Sequence, residues 1–428
     1  MKIKFSNANV LDANFQILKN QDLVVEGNTI ANIKNTDKKD KEKYDRVINC
    51  NENYLIPGFK NCHAHNAMVF VRSISEDLPL DRWLNESIFP KEAKLTEEDV
   101  YYFTILGIME SLASGITSCI DMYKYNMTLA EAYYHTGFRV NLNDSVTPFD
   151  KVIAPEENLI KINNYKDDKG RRVRYTLGLH AEYTNNKETF KMMSDLIHKY
   201  KVPYFTHMSE TKKEVEECKD RWKGLSPVEV HEEYDMFKYG GGGYHCVYFS
   251  DKDIDIFKKH NLTIVTNPAS NLKLASGIAP VKKYLEKGVN IAIGTDGPAS
   301  NNRISMFREM YLASILSKYS TNNAMSIPTK DILKMVFENG AKATSFEKTE
   351  SLKTGNIADI VMIDVHKANM EPQTNFINNL VYAAGVDNVK LTMVDGKILY
   401  EDGKYFINED GDYIYKKCNE LKEKLLER

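Results

Sequence analysis

Two histidines separated by one residue, His63 and His65, are the first side chains along the sequence whose type and spacing could bind a metal ion. On an extended segment, residues i and i+2 point to the same side, so both imidazoles can reach one ion. Roughly 0.2 such pairs are expected by chance in a chain with ten histidines, so the pair alone is weak. The alternative interpretation is two polar histidines in a loop.

The elements that must position these histidines are short apolar runs that alternate with helical segments between residues 54 and 346. Eight runs are predicted to be strands, at residues 54–59, 116–121, 138–143, 174–179, 203–206, 243–247, 262–266 and 290–294. The apolar periodicity predicts helices over residues 96–114, 187–200, 251–260 and 305–317. Eight strands that alternate with helices are typical of a (β/α)8 barrel.

A doubly wound sheet is the alternative fold for this alternation. However, no Gly-x-Gly-x-x-Gly segment follows any of the predicted strands. The four glycines at 240–243 precede a strand rather than open a helix, so we interpret them as a flexible joint and not as a phosphate-binding loop.

Further candidate ligands fall at or near the carboxyl ends of the predicted strands, the face at which barrel enzymes carry their chemistry. His180 follows the fourth strand, His207 ends the fifth, His245 lies in the sixth and Asp296 ends the eighth. The segment with His63 lies just past the first strand. This convergence predicts a metal-dependent active site. Five histidines are instead interpreted as structural or surface residues: His135, His198, His231, His260 and His366.

Short strands return at both ends of the chain, at residues 2–5, 22–26 and 29–33 and again within residues 355–364 and 391–400. Gly27-Asn28 and Asp395-Gly396 are predicted hairpin turns, and residues 413–426 a charged amphipathic helix. We therefore predict a small β-sandwich domain built from both termini, residues 1–56 plus 347–428, beside an α/β barrel of residues 57–346.

Composition argues against several classes of function. The chain has 428 residues with 57 basic and 60 acidic side chains, a balance that removes the electrostatic case for nucleic acid or a membrane surface as partner. No apolar run approaches the ~18 residues of a spanning helix, and the first residues lack signal-peptide features. The six scattered cysteines form no Cys-x-x-Cys pair and are interpreted as small buried residues. We expect a cytoplasmic protein, with homo-oligomerisation left open.

Four segments carry a family resemblance: Pro-Gly-Phe-Lys-Asn-Cys-His-Ala-His at 57–65, His-Met-Ser-Glu-Thr-Lys-Lys-Glu-Val at 207–215, Asn-Pro-Ala-Ser-Asn-Leu-Lys-Leu-Ala-Ser-Gly at 267–277, and Gly-Thr-Asp-Gly-Pro-Ala-Ser-Asn-Asn at 294–302. Together they resemble the amidohydrolase superfamily, specifically its branch of 5′-methylthioadenosine/S-adenosylhomocysteine deaminases and related chlorohydrolases. The terminal segments 355–364 and 393–397 match this branch as well.

The resemblance implies that one divalent metal, usually zinc, is held by His63, His65, His207 and Asp296. Three neutral imidazoles and one carboxylate suit Zn²⁺ with a water in the open position, although iron would accept the same ligands. Binuclear relatives use a carbamylated lysine on the fourth strand, and residues 174–180 contain no lysine. We therefore expect a single metal ion.

Three residues are predicted to catalyse the reaction. Glu210 lies three residues after His207, a spacing that on a helical turn puts both side chains on one side. It would move a proton from the attacking water to a ring nitrogen of the bound substrate. Asp296 would also accept a proton from the water, and His245 would hydrogen-bond the water or the tetrahedral intermediate.

The resemblance implies further substrate contacts: His180 with a purine, Glu92 with ribose hydroxyls, and Trp83 as an apolar lid. Two positions depart from the family pattern. Asp144 stands where homocysteine-binding members carry an arginine, and an aspartate would repel a substrate carboxylate. Glu182 replaces a proline and would add a carboxylate at the mouth of the site.

The primary hypothesis is hydrolytic deamination of an adenosine-type nucleoside to the inosine-type product and ammonia. Candidate substrates are 5′-methylthioadenosine and adenosine, with S-adenosylhomocysteine disfavoured by Asp144. One alternative is an amidohydrolase for another aminated or halogenated heterocycle, such as guanine, a pterin or a triazine. A second alternative is a non-catalytic scaffold that retains the barrel.

Overall fold

The computed structural model describes residues 1–74, 76–150, 154–165 and 171–428. Five strands precede the barrel: β1 Lys2–Leu11, β2 Ile17–Glu26, β3 Thr29–Asn35, β4 Arg46–Asn49 and β5 Tyr54–Pro57. Strands β1, β2 and β3 form an antiparallel meander with the predicted turn at Gly27-Asn28, while β4 and β5 pair with β1 in parallel.

Eight parallel strands form the barrel: β6 Phe59–Ala64, β7 Ile116–Tyr123, β8 Arg139–Asp144, β9 Val173–Ala181, β10 Tyr204–Met208, β11 Gly241–His245, β12 Thr263–Thr266 and β13 Asn290–Ile293. Each strand pairs with the next along the chain. The barrel closes where the residues after β13 return to β6, because the backbone N–H groups of Thr295 and Asp296 donate to the His63 carbonyl at 3.1 and 2.9 Å. The predicted (β/α)8 fold is confirmed.

Helices surround the barrel and cover its ends. In the described ranges the α-helices are α1 Leu80–Arg82, α2 Phe89–Glu92, α3 Glu97–Ala113, α4 Asn126–Thr136, α5 Pro155–Asn163, α6 Lys187–Tyr200, α7 Lys212–Arg221, α8 Pro227–Glu233, α9 Asp251–Lys259, α10 Pro268–Lys273, α11 Val281–Glu286, α12 Met306–Ser320, α13 Thr329–Val336, α14 Glu338–Thr344, α15 Phe376–Tyr382 and α16 Gly411–Glu427. A π-helix, Trp83–Ile88, joins α1 to α2. No helix in these ranges is both long and apolar enough to cross a bilayer.

Four strands complete the terminal sheet: β14 Ile360–Ile363, β15 Val389–Val394, β16 Lys397–Glu401 and β17 Lys404–Tyr405. Strand β14 pairs with β5, so both ends of the chain form one mixed nine-stranded sheet. Apolar side chains from β1, β2, β5, β14 and β15 meet in one buried cluster, and Asn28 Nδ2 donates to Asp395 Oδ1 at 3.1 Å across the two hairpin turns. The sheet therefore folds over on itself, as expected for a domain built from both termini.

Two predictions near the barrel strands are wrong. Residues Tyr54–Pro57 belong to the terminal sheet, and the first barrel strand is Phe59–Ala64, so His63 lies inside the strand and not beyond it. Only Gly58 separates β5 of the terminal sheet from β6 of the barrel, so the sequence reads as one continuous apolar strand and does not indicate where one sheet ends. The glycines 241–243 are also part of β11 and not a joint, since a Cβ on Gly241 would lie 1.8 Å from the Tyr204 carbonyl oxygen.

The barrel and the terminal sheet are joined by a buried ion pair at the amino end of β8. The Arg139 guanidinium donates to both carboxylate oxygens of Asp359, at 2.9 and 3.0 Å, and lies 3.4 Å from Asp395. Arg139 and Asp359 have no solvent-exposed side-chain area. Arg139 is thus a structural residue at the barrel face opposite to the ends that carry the histidines.

We expect Arg139→Leu to lower the free energy of unfolding by about 3–5 kcal/mol, because the Asp359 carboxylate would remain buried without its partner. Denaturant unfolding followed by far-UV circular dichroism measures this change. Lys416→Ala removes an exposed ion pair on α16 and serves as the control, with an expected cost of under about 0.5 kcal/mol. A loss of under about 1 kcal/mol for Arg139→Leu would contradict this account.

Candidate metal centre and active site

Five predicted site residues converge at the carboxyl end of the barrel. The candidate ligand atoms of His63, His65 and His207 lie within 4.8 Å of one another, and so do those of His63, His245 and Asp296. These side chains come from the ends of β6, β10 and β11 and from the residues after β13. Strands that are far apart in sequence thus bring four imidazoles and one carboxylate together.

The Asp296 carboxylate is held on both sides. Its Oδ1 lies 3.4 Å from His63 Nε2 and 3.1 Å from His65 Nε2. Its Oδ2 accepts hydrogen bonds from the Ser270 hydroxyl at 2.6 Å and the Ser300 hydroxyl at 2.7 Å. One oxygen therefore faces the histidines, while the other is occupied by donors that fix the orientation of the carboxylate.

Hydrogen bonds at the second ring nitrogen orient three of the histidines. His65 Nδ1 bonds the Met122 carbonyl, and His207 Nδ1 bonds the His180 carbonyl at 2.7 Å. His245 Nδ1 lies 2.7 Å from the Asn271 side-chain oxygen. Because each of these oxygens accepts, Nδ1 carries a proton, and Nε2 is directed at the centre.

Burial sets the charge of the cluster. It lowers the pKa of His63 to about 3 and the pKa of His207 well below its ordinary value, so both imidazoles are neutral at pH 7. Burial by itself would raise the pKa of Asp296, but His63 and His65 outweigh it and hold this pKa well below its ordinary value. The neutral imidazoles of His63 and His207 and the ionised carboxylate are the forms that bind a divalent cation. At His65 the effect of burial is outweighed by Asp296, which raises the pKa, and a bound cation would replace the second proton of this imidazole.

An unsatisfied side chain supports metal binding at this site. His63 has no exposed area, its Nδ1 has no hydrogen-bond partner, and its Nε2 has only the 3.4 Å contact with Asp296, without regular hydrogen-bond geometry. Its ring stacks on Tyr244 with 3.8 Å between centroids, which fixes its plane. Buried nitrogen without a hydrogen bond is costly, and coordination of a metal explains it. The set of imidazole nitrogens and one carboxylate oxygen fits Zn²⁺ or a similar ion.

Glu210 lies beside this cluster, between β10 and α7. Its Oε1 accepts from the Ser276 hydroxyl at 2.9 Å, and its Oε2 lies 3.8 Å from His245 Nε2. The chain is not helical here, so the helical-turn argument is wrong. Instead the buried Glu214 carboxylate accepts from the backbone N–H groups of Ser209 and Glu210, each at 2.7 Å. Burial raises the pKa of Glu210, so this carboxyl group can hold a proton more readily than an exposed one.

A cavity with an empty volume of about 710 Å³ opens above the cluster. Its lining includes Glu210 and three of the predicted substrate contacts, Trp83, Glu92 and His180. Trp83 lies in the π-helix, Glu92 ends α2 and His180 lies in β9. The structure therefore brings these side chains to the same cavity as the histidine cluster.

The two departures from the family pattern do not reach the cavity. Asp144 accepts hydrogen bonds from Tyr175 and from Asn126 Nδ2, and burial raises its pKa to about 6. The cavity is lined by the next residue, Ser145. Glu182 is buried and bonded to Arg221 at 2.6 Å, so it is not at the mouth of the site. The structure thus gives Asp144 and Glu182 no direct contact with a bound molecule.

Several residues that build this site were not singled out from the sequence. Ser270, Asn271, Ser276 and Ser300 lie inside the segments that carry the family resemblance, but their hydroxyl and amide contacts are not readable from residue type. Glu214 has a clearer signal. It is the third residue of α7 after the N-cap Thr211, which is the spacing of a capping box. Its carboxylate also accepts a hydrogen bond from the backbone N–H of Glu210 and so orients that segment.

Comparison with known proteins agrees with this geometry. The model of the amidohydrolase family matches residues 54–399. A protein from Caldicellulosiruptor saccharolyticus named 5-methylthioadenosine/S-adenosylhomocysteine deaminase is 36% identical over 428 residues, covering 99% of this chain and 98% of that protein. A 5′-deoxyadenosine deaminase from Methanocaldococcus jannaschii is 36% identical over 412 residues, covering 95% and 96%.

The crystal structure of an adenosine deaminase from Xanthomonas campestris with bound zinc is similar to the whole chain. It has a TM-score of 0.92 and 26% sequence identity, covering 100% of this chain and 99% of that one. The fold and the site therefore define the class of protein: an α/β barrel with a candidate metal site at the carboxyl ends of its strands. The chain belongs to the amidohydrolase family, which confirms the predicted hydrolase.

We expect Ser270→Ala to lower the metal affinity of the site about 10- to 100-fold, because Asp296 Oδ2 would lose one of its two donors. Competition with a chelator of known affinity measures the change. Ser314→Ala is the matched control, since Ser314 is a buried serine of α12 that bonds Tyr382 at 2.8 Å. Equal metal affinity for Ser270→Ala and the native protein would show that this hydroxyl does not support the site.

Proposed function

We propose that the protein is a metal-dependent hydrolase that deaminates an adenosine-type nucleoside, releasing the inosine-type product and ammonia. The observation that carries this proposal is the position of Glu210. Its buried carboxyl group, with a raised pKa, lies between the histidine cluster and the cavity. The names of the relatives, deaminases of methylthioadenosine, S-adenosylhomocysteine, 5′-deoxyadenosine and adenosine, support the same reaction.

We propose one zinc ion as the cofactor, held by His63, His65, His207 and Asp296. The zinc bound in the Xanthomonas campestris relative supports this choice. A bound Zn²⁺ would supply a water with a pKa of about 7 as the nucleophile. The absence of a lysine from residues 174–180 supports a single ion.

In the proposed mechanism, Glu210 moves the protons. Its carboxylate takes a proton from the attacking water and gives it to the ring nitrogen beside the C–NH₂ carbon, which makes that carbon electrophilic. The resulting hydroxyl oxygen adds to this carbon, its remaining proton passes through Asp296 to the amino group, and the C–N bond breaks to give ammonia and the ring carbonyl. The raised pKa of Glu210 suits a group that both accepts and returns a proton.

His245 and Asp296 would orient the water. His245 Nδ1 donates to Asn271, so its Nε2 faces the centre and suits a hydrogen bond with the water or with the tetrahedral intermediate. The ionised Asp296 would accept a second hydrogen bond from the water. We also propose that His180, whose ring centroid lies 4.8 Å from that of His207, contacts the purine, and that Glu92 contacts the ribose hydroxyls and Trp83 the apolar part of the substrate.

The proposal does not exclude S-adenosylhomocysteine. Asp144 would repel the carboxylate of this substrate only if it lay beside it. The Asp144 side chain instead faces Tyr175 and Asn126 and does not line the cavity. The cavity joins a wider groove along a shared wall that is mostly apolar, with Leu80, Leu84 and Phe89 on it. Substituents of different length at the 5′ position could therefore extend into the groove.

An ammonia-release assay on zinc-loaded protein tests the proposal. The panel contains adenosine, 5′-methylthioadenosine, 5′-deoxyadenosine, S-adenosylhomocysteine, adenine, guanine and a pterin. We expect nucleosides to be deaminated and free bases to react poorly. Turnover of guanine or the pterin in place of every nucleoside would favour the alternative heterocycle hydrolase, and no turnover with metal bound would favour a scaffold.

We expect Glu210→Gln to lower kcat by about 10²- to 10⁴-fold, since the amide cannot carry the proton. Steady-state ammonia release measures the loss, and bound zinc is measured in the same samples to show that the centre is intact. Glu216→Gln, which changes an exposed carboxylate on α7, is the matched control and should leave kcat unchanged. Full activity in Glu210→Gln would remove the basis of the mechanism.

We expect Glu92→Ala to raise KM for a nucleoside about tenfold or more, because hydrogen bonds from sugar hydroxyls to a carboxylate would be lost. Initial-rate kinetics with the best nucleoside of the panel measure the change. The same substitution should leave KM unchanged for a substrate that lacks ribose, such as adenine. An equal effect on both substrates would contradict ribose recognition by Glu92.

A further inference from the structure

Tyr123, the last residue of β7, lines the cavity and has an unsatisfied hydroxyl group. The residue is only 4% exposed, and its phenol oxygen is buried without a hydrogen-bond partner. A buried polar atom without a partner carries a free-energy cost, and such atoms are uncommon in native proteins. A group that occupies the cavity and accepts a hydrogen bond would remove this cost.

The surroundings of Tyr123 define its protonation state. Burial and the neighbouring Glu92 carboxylate both raise the pKa of the Tyr123 phenol well above its ordinary value, so it is an O–H donor at neutral pH. Glu92 lines the same cavity, and its carboxylate is an acceptor when ionised. The phenol and this carboxylate thus stand side by side at one wall and interact, but without a hydrogen bond of regular geometry between them.

The other charged group at this wall is already paired. Lys124 Nζ lies 3.2 Å from Asp150 Oδ1. The second oxygen of Asp150 accepts from the backbone N–H and the hydroxyl of Thr147, at 2.6 and 3.0 Å. Lys124 is thus engaged with Asp150, whereas the buried Tyr123 hydroxyl has no hydrogen bond of regular geometry.

A hydroxyl group matches this arrangement, because it can donate to a carboxylate and accept from a phenol at the same time. An exocyclic amine could donate to Glu92, but its lone pair is conjugated with the ring and is a poor acceptor for Tyr123. The amine-bearing carbon of the substrate must also lie against Glu210 and the histidine cluster. The sugar is thus the part of a nucleoside that is available to Glu92 and Tyr123.

We propose that Tyr123 is a specificity-determining residue that donates a hydrogen bond to the ribose hydroxyl whose proton Glu92 accepts. Tyr123 and Glu92 together select a ribonucleoside over the analogue that lacks this hydroxyl. The inference rests on the proposed nucleoside substrate and adds to it a binding residue from the second barrel strand. Sites built to bind a substrate hydroxyl discriminate strongly, since its absence leaves their own polar groups unpaired.

The test compares Tyr123→Phe with the native protein on three substrates: the best ribonucleoside of the panel and its 2′-deoxy and 3′-deoxy analogues. Tyr123→Phe should lower kcat/KM for the ribonucleoside about 5- to 10-fold, the effect of one neutral hydrogen bond. It should have no effect on the analogue that lacks the bound hydroxyl. Tyr125→Phe, whose hydroxyl donates to the Leu95 carbonyl outside the cavity, is the matched control.

An equal loss on all three substrates, or no loss on any, would overturn the inference. The first result would mean that Tyr123 only supports the packing of Glu92, and the second that its hydroxyl meets no substrate atom. Thermal unfolding of Tyr123→Phe shows whether the variant is folded.

Equilibrium binding separates this inference from the proposed reaction. Zinc-loaded Glu210→Gln protein, with and without Tyr123→Phe, is titrated with the ribonucleoside and its deoxy analogues. A preference for the hydroxyl that depends on Tyr123 supports the inference, even if the native protein releases no ammonia and deamination is thereby disproved. Binding that is independent of both the hydroxyl and Tyr123 overturns the inference, even if the native protein deaminates nucleosides.

Discussion

The closure of the barrel is the constraint on which the metal centre depends. The backbone N–H groups of Thr295 and Asp296 donate to the carbonyl of His63, so the contact that joins the last strand to the first also places Asp296 beside His63 and His65. Closure requires eight strands of consistent stagger. The ligand geometry is therefore a property of the completed barrel and not of any one segment.

Burial shifts the pKa values of neighbouring groups in this centre in opposite directions, down for histidines and up for a carboxyl group. It keeps the imidazoles of His63 and His207 neutral, and it makes the carboxyl group of Glu210 easier to protonate. Asp296 remains ionised because of its histidine neighbours and also accepts two serine hydroxyls. One buried site thus contains neutral imidazoles, an ionised carboxylate and a carboxyl group suited to proton transfer, a separation of roles that the environment of each group produces.

Much of the architecture could be predicted because local patterns carry it. The apolar periodicity predicted α3, which Thr96 caps, and the predicted helix at residues 187–200 matches α6. Histidines at strand ends identified the cluster, because the carboxyl ends of parallel strands meet at one face. The strand at 54–57 was assigned to the wrong sheet, since an apolar run does not record which strand it pairs with.

The order of amino acids was thus sufficient to predict the barrel, the participation of both termini in one sheet and the identity of the clustered histidines, all of which follow from periodicity and strand-end position. The direction in which an individual side chain points could not be predicted from the sequence. Asp144 and Ser145 are neighbours, yet one faces Tyr175 and the other lines the cavity. Successive side chains of an extended segment point in opposite directions, so one residue of register decides which of them reaches a ligand. Register is set by pairing with β7 and β9, and that pairing exists only in the folded chain.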